Sequence, residues 1–143
     1  RHFKIKSDDI TNPRIGQKFD MITCISVLEH IPAHREALKG MFSLLNPGGQ
    51  IILTFPYNEH TYHADIYRHQ QAGYGQQHPF IGQVYSRNEL NSWLADNGGV
   101  ILKQIYYEAF TGEFWTMGDP IYPLRETTAD ARHHRTCLLL AKS

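Results

Sequence analysis

The stretch FDMITCISVLEHIPAHREALKGMFSLLNPGGQIILTFP, residues 19–56, constrains the fold more than any other part of this chain. An apolar run begins at Asp20 and ends before Glu29, and a second, β-branched run follows Pro47-Gly48-Gly49. Between them, Leu38, Met41, Phe42 and Leu45 recur at helical spacing, with Arg35, Glu36 and Lys39 on the opposite face. Pro32 suits a first helical turn, and Pro47 with the two glycines suits a stop. The pattern is strand, helix, strand. Two strands joined by a helix favour a parallel pair, because parallel neighbours need a crossover connection, and parallel strands imply an α/β sheet covered on both faces.

Further along, Ser86-Arg87-Asn88-Glu89 has the form of a capping box, with Tyr85 and Leu90 placed as a hydrophobic staple. A helix carrying Leu90, Trp93 and Leu94 is predicted from there to Asn97-Gly98-Gly99, then a strand over 100–107. The apolar run Arg135 to Ala141 suits a strand buried on both faces. At the other end, the alternation from His2 to Lys6 predicts a strand, followed by Ser7-Asp8-Asp9-Ile10-Thr11. There Asp8, Asp9 and Asn12 read as an Asx-rich turn before Pro13.

With 143 residues, 41% hydrophobic and 20% charged, the whole chain fits one domain with its own core. Fourteen basic residues balance fourteen acidic ones, so net charge steers it towards neither nucleic acid nor an anionic membrane. No apolar run reaches the roughly 18 residues that span a bilayer, and the expected location is cytoplasmic. Cys24 and Cys137 fall in separate strands and read as buried, reduced thiols.

Phe19-Asp20, Val27-Leu28-Glu29-His30-Ile31, Leu44-Leu45-Asn46-Pro47-Gly48-Gly49 and Ile52-Leu53-Thr54 together resemble the fourth and fifth strands of class I S-adenosylmethionine-dependent methyltransferases. The resemblance implies a Rossmann-like sheet whose last strand, antiparallel, lies between the two before it, so that another strand separates the cysteines by about 10 Å, too far for a disulfide. It implies S-adenosylmethionine as cofactor and transfer of its methyl group to a small-molecule acceptor. Asp9 and Ile10 then meet the adenine, and Ser26 and Val27 line the cofactor's amino-acid portion. His30 is the candidate general base, against a loop-fixing role for the Glu29-His30 pair. Tyr57, Asn58 and Tyr67 are candidate substrate contacts in a long segment, 57–85, of the kind that serves as a lid, a binding loop or a mobile connection.

His60, His63, Asp65 and His69 in that segment invite a metal reading, but without nearby cysteines or a metal motif they read as a polar loop, and no metal is assigned. The aromatic residues of 109–134 form either extra core or a partner interface. No Gly-x-Gly-x-x-Gly occurs in the chain. The family's first strand, glycine-rich loop and second strand would precede Arg1, so the resemblance covers the C-terminal part of the family domain. The chain is accordingly a truncated domain or a reduced homologue. With the first strand absent, the strand at 20–25 would form an open edge, predicting a homodimer, pairing with a missing N-terminal half, or a shifted strand over that edge. A non-catalytic module acting through association is the alternative reading.

Overall fold

The computed structural model describes residues 3–143. Its centre is a five-stranded sheet in the order β1-β2-β5-β3-β4. The strands are β1 (Phe19–Ile25), β2 (Leu45–Pro56), β3 (Gly99–Phe110), β4 (Pro120–Thr127) and β5 (Arg135–Lys142), with helices α1 (His34–Ser43) and α2 (Arg87–Asn97). β1 and β2 are parallel, Ile22 facing Ile51 and Cys24 facing Leu53. β5 runs antiparallel between β2 and β3, as the resemblance implied. Cys24 and Cys137 flank β2 and are both free, each half-buried.

One face of the sheet carries the core. Ile51, Leu53 and Phe55 of β2 and Leu138 and Leu140 of β5 are buried against Ala37, Leu38, Met41 and Phe42 of α1 and Leu90 and Trp93 of α2. The helix stripe expected from spacing is buried in full. Gly40 lets α1 lie against the chain before β1, since a Cβ there would sit 1.9 Å from the Ile10 carbonyl oxygen. At α2 the capping box forms, the Ser86 N–H donating to Glu89 Oε2 at 3.1 Å, and Gly98, at φ 63°, closes the helix.

Several expectations need correction. The sheet is not covered on both faces by the described residues: α1 and α2 pack into one core cluster on one side. The reason is handedness, since right-handed crossovers that progress in one direction along a sheet leave their helices on the same face. On the other face Met21, Ile25 and Val100 are 52%, 51% and 43% exposed. The strand expected over residues 2–6 falls partly outside the described residues, and Phe3 to Lys6 form none. Phe3 and Ile5 are almost fully exposed, because alternation without a pairing edge or a core to face stabilises no strand. β1 is therefore paired on one side only among the described residues.

The segment 57–85 is also better anchored than a lid. Bridges join Tyr57 to Tyr85 and His63 to Val84, and Ile66, Tyr67 and Val84 bury with Met117 in a second, smaller core flanked by Phe114 and Trp115. Part of the apolar surplus of 109–134, Met117 with Phe114 and Trp115, thus supplies core, and the same stretch contributes β4, which no sequence pattern announced. Pro120 and Pro123 argue against a central strand, yet β4 is an edge strand, where proline is tolerated. Glu108 of β3 holds this corner, pairing with Arg125 at 2.8 Å and with Arg132 Nε at 2.8 Å.

Truncating Leu138, fully buried at the sheet centre, to alanine should cost about 2–5 kcal/mol, and Met21→Ala on the uncovered face well under half of that. Urea unfolding of the two variants measures the difference.

Candidate functional site

The carboxyl ends of β1, β2 and β3 and the start of β5 meet at one end of the sheet, the end at which open α/β sheets bind ligands. Thr54, near the end of β2, ties them together. Its backbone oxygen and Oγ1 accept from the Ser26 N–H at 3.0 and 3.1 Å, and Oγ1 also accepts from Arg135 at 3.1 Å. Ser26 turns the chain out of β1 with φ 53°, a left-handed value uncommon outside glycine. Val27 beside it is half-exposed.

Glu29 follows in a short 3-10 turn, Leu28–His30. It is 4% exposed, and its Oε2 has no hydrogen-bond partner. Burial pushes its carboxyl above the ordinary range; its own backbone N–H and the charges of His30 and Arg135 offset only part of this. His30 is engaged elsewhere: Nδ1 lies 2.8 Å from the Ile81 carbonyl, which fixes it as the donor, and the ring packs edge-on against Phe80 at 4.6 Å. The imidazole thereby pins the 57–85 segment to the turn after β1, which accords with the loop-fixing role.

A second network lies on the β3 side. The Tyr57 hydroxyl donates to Glu59 Oε2 at 2.9 Å, Arg87 Nε donates to Glu59 Oε1 at 2.8 Å, and Arg87 also donates to the Tyr106 hydroxyl at 2.8 Å. His133 stacks on Tyr57 at 5.6 Å. Burial alone would push the Glu59 carboxyl up, but hydrogen bonds from Arg87 and Tyr57 outweigh it and hold the group below its ordinary range. Tyr57 is fully buried, so its ring is core and offers no surface to a substrate. Asn58 uses its Oδ1 to accept from the His60 and Thr61 N–H groups, each at 3.0 Å, and lines an open pocket of about 460 Å³ with Glu59 and His133. Tyr67 is 6% exposed, its phenol pushed up by burial and by the carboxylates of Glu29 and Asp65.

Before β1, Asp9 is exposed. Its Oδ1 accepts from the Thr11 N–H and hydroxyl at 2.9 and 2.8 Å, the Asx turn that the residue types favoured. Asp8 takes the N–H groups of Arg14 and Ile15 at 3.0 and 2.9 Å. Ile10 and Val27 are brought together: both line an apolar pocket of about 260 Å³ along β1 with Ile22, Thr23 and Ile25. The histidines of 60–69 do not assemble. Asp65 accepts from the Tyr67 and Gly82 N–H groups, His63 meets His69 edge-on at 5.8 Å, and no cluster of metal-ligating side chains forms among the described residues. Thr54, Glu59, Arg87 and Arg135 were missed from sequence, where each reads as an ordinary strand, loop or cap residue.

A protein-family model described as a methyltransferase domain matches residues 2–104. The chain belongs to the methyltransferase domain family. Among curated relatives of this methyltransferase domain, a ubiquinone biosynthesis O-methyltransferase from Coxiella burnetii is 31% identical over 108 residues, covering 69% of this chain and 44% of the relative. The chain therefore spans less than half the length of that protein. Among solved structures, a methyltransferase from Methanosarcina mazei matches 96% of this chain and 66% of its own at TM-score 0.59 and 17% identity. An O-methyltransferase from a polyketide synthase multienzyme of Brevibacillus brevis, in complex with S-adenosylhomocysteine, matches 72% of this chain and 31% of its own at TM-score 0.57 and 22% identity. At such identities the likeness is one of fold, the Rossmann-like α/β sheet.

Two pH effects follow for this methyltransferase domain. Glu29, with its folded pKa raised, adds stability below the unfolded value of about 4.3 and loses it as pH rises through the folded value. Glu29→Gln should abolish that loss and gain on the order of 1 kcal/mol over the native protein at pH 8. Glu59 has the opposite sign: its contribution is present above about pH 4.3 and is lost as pH falls through its lowered folded value, a slope that Glu59→Gln should remove. Urea midpoints between pH 3 and pH 8, on a roughly unit grid, check both.

Proposed function

We propose that this chain is part of an S-adenosylmethionine-dependent methyltransferase acting on a small-molecule acceptor. The observation that carries the reading is the family match over residues 2–104, joined to a sheet in which antiparallel β5 lies between β2 and β3. The residues present suit one end of the cofactor. The apolar pocket between Ile10 and Val27 has the size and lining for a flat purine, and Asp9, exposed and next to Ile10 in the chain, retains a free carboxylate oxygen, Oδ2, for an exocyclic amine.

S-adenosylmethionine, when bound, supplies a methyl group on a sulfonium. In this reading the adenine lies at the Ile10 end of that pocket with its amino N–H on Asp9, and Ser26 with Val27 lines the amino-acid portion. Holding acceptor and methyl carbon in line is the main catalytic contribution of such a site. Asn58 is the proposed substrate-side residue of the 57–85 segment; Tyr67, buried in the second core, supports that segment from beneath, and Tyr57 acts through Glu59. His30 acts as a positioning residue for that segment, and its Nε2, not used in the bond to Ile81, is the candidate atom for proton transfer from an acceptor that arrives protonated. A cytoplasmic location belongs to the same reading, with which the free thiols agree.

Calorimetric titration of S-adenosylhomocysteine into the 143-residue chain tests this. Saturable one-to-one binding, weakened at least about tenfold by Asp9→Ala (about 1.4 kcal/mol), is expected; heat flat up to millimolar ligand overturns it for this chain.

Association is a second reading, favoured by one observation: among the described residues β1 is paired on one side only, and Met21, Ile25 and Val27 about it are each near half-exposed. An open edge flanked by apolar side chains is a template for another strand. Sedimentation equilibrium should show a dimer that Met21→Lys with Ile25→Lys converts to monomer; a monomeric native chain at every concentration sinks this reading.

A further inference from the structure

A pocket of about 500 Å³ opens between the turn at 73–74 and the β3–β4 hairpin. Its walls are aromatic. Tyr74, Phe110, Trp115 and Tyr122 line it, with Phe110 edge-on to Trp115 at 5.1 Å and tilted to Tyr74 at 6.3 Å. Such walls offer faces and edges to a flat ring, and the volume is that of a small-ligand site.

The polar groups on this lining are few and unspent. Arg135 forms no ion pair among the described residues. Its guanidinium lies 5.6 Å from the Trp115 ring centre and donates to Thr54 Oγ1 alone, out of five N–H donors arranged to meet a carboxylate or similar anion. Glu29 feels its charge without reaching ion-pair distance. Thr116 is fully buried, its Oγ1 has no partner, and its φ is 72°. A β-branched residue held in that region costs on the order of 1–3 kcal/mol and persists only where its surroundings enforce it. Tyr74 stays a neutral hydroxyl at physiological pH, since burial pushes its phenol up to about 12, so it adds no competing negative charge.

The pocket also adjoins the end of β1, because the Thr54 Oγ1 that accepts from Arg135 accepts from the Ser26 N–H as well.

We propose that this pocket binds the methyl acceptor, and that the acceptor is a planar aromatic anion, its ring among Tyr74, Phe110 and Trp115 and its carboxylate or phenolate oxygen on the free N–H groups of Arg135. That the ligand is a methyl acceptor rests on the methyltransferase reading; the preference for an aromatic anion rests on the pocket alone.

The test is calorimetry with 2-naphthoate, its neutral counterpart 2-naphthamide, and acetate. The native chain should bind naphthoate saturably, at least about tenfold tighter than naphthamide (about 1.4 kcal/mol), and acetate not measurably. Arg135→Gln should erase the difference between naphthoate and naphthamide, Arg135→Lys should restore part of it, and Tyr122→Ala, at a position 84% exposed, should weaken both aromatic ligands. Equal affinity of the native chain for naphthoate and naphthamide, or undiminished naphthoate binding by a folded Arg135→Gln, overturns the proposal without reliance on any variant that fails to fold. Titration of S-adenosylhomocysteine in parallel separates the two readings. Naphthoate binding without it supports the pocket and overturns the methyltransferase reading for this chain; the reverse overturns the pocket.

Discussion

The insertion of β5 between β2 and β3 is the constraint on which the rest of the molecule depends. The ladder from Gln50–Ala141 to Pro56–Arg135 on one side and from Gly99–Lys142 to Tyr107–Arg135 on the other joins the last stretch of the chain to its middle. Leu138 and Leu140 close the core from that central position. Because β5 runs against its neighbours, its first residues arrive where β2 and β3 end. His133, His134 and Arg135 are thus delivered to the carboxyl edge, far in sequence from Ser26 and Thr54 and next to them in space. His134 extends the tie, its Nδ1 accepting from the Ala109 N–H at 3.1 Å and its Nε2 lying 2.8 Å from the Gly112 carbonyl.

At that edge the electrostatics are arranged unequally. Glu59 is compensated twice, by Arg87 and Tyr57, so its charge is held at modest cost although half-buried. Glu29 is buried with one oxygen unpartnered, an arrangement that costs stability and occurs most often where a protein does chemistry or binding. Arg135 is the positive counterpart, half-buried and without a carboxylate partner among the described residues. A buried carboxyl group and a guanidinium kept out of ion-pair range leave both groups polar capacity that a ligand can use.

Legibility followed periodicity. The α1 stripe at 38, 41 and 42 and the capping box at Ser86 and Glu89 were readable because local geometry alone sets which residues share a face or an end. The strand expected over 2–6 was misread because alternation reports a half-buried surface only when a partner edge exists. β4 was invisible because prolines mask an edge strand. Among site residues, Ile10 and Val27 do share a pocket, whereas Tyr57 proved to be core. An aromatic after a strand reads the same whether it faces ligand or helix, and only the bridge from Tyr57 to Tyr85 decides it.

By itself the sequence determined the α/β class, the parallel β1–α1–β2 unit, the capped α2 and the family resemblance, all properties of contiguous residues whose spacing, turn chemistry and capping act over a few positions. Tertiary structure decided the uncovered sheet face, the second core beneath 57–85 and the meeting of Ser26, Thr54 and Arg135, together with the aromatic pocket beside them. Those features join segments up to about a hundred residues apart. Which distant side chains meet depends on strand order and direction, and on burial that no local pattern encodes.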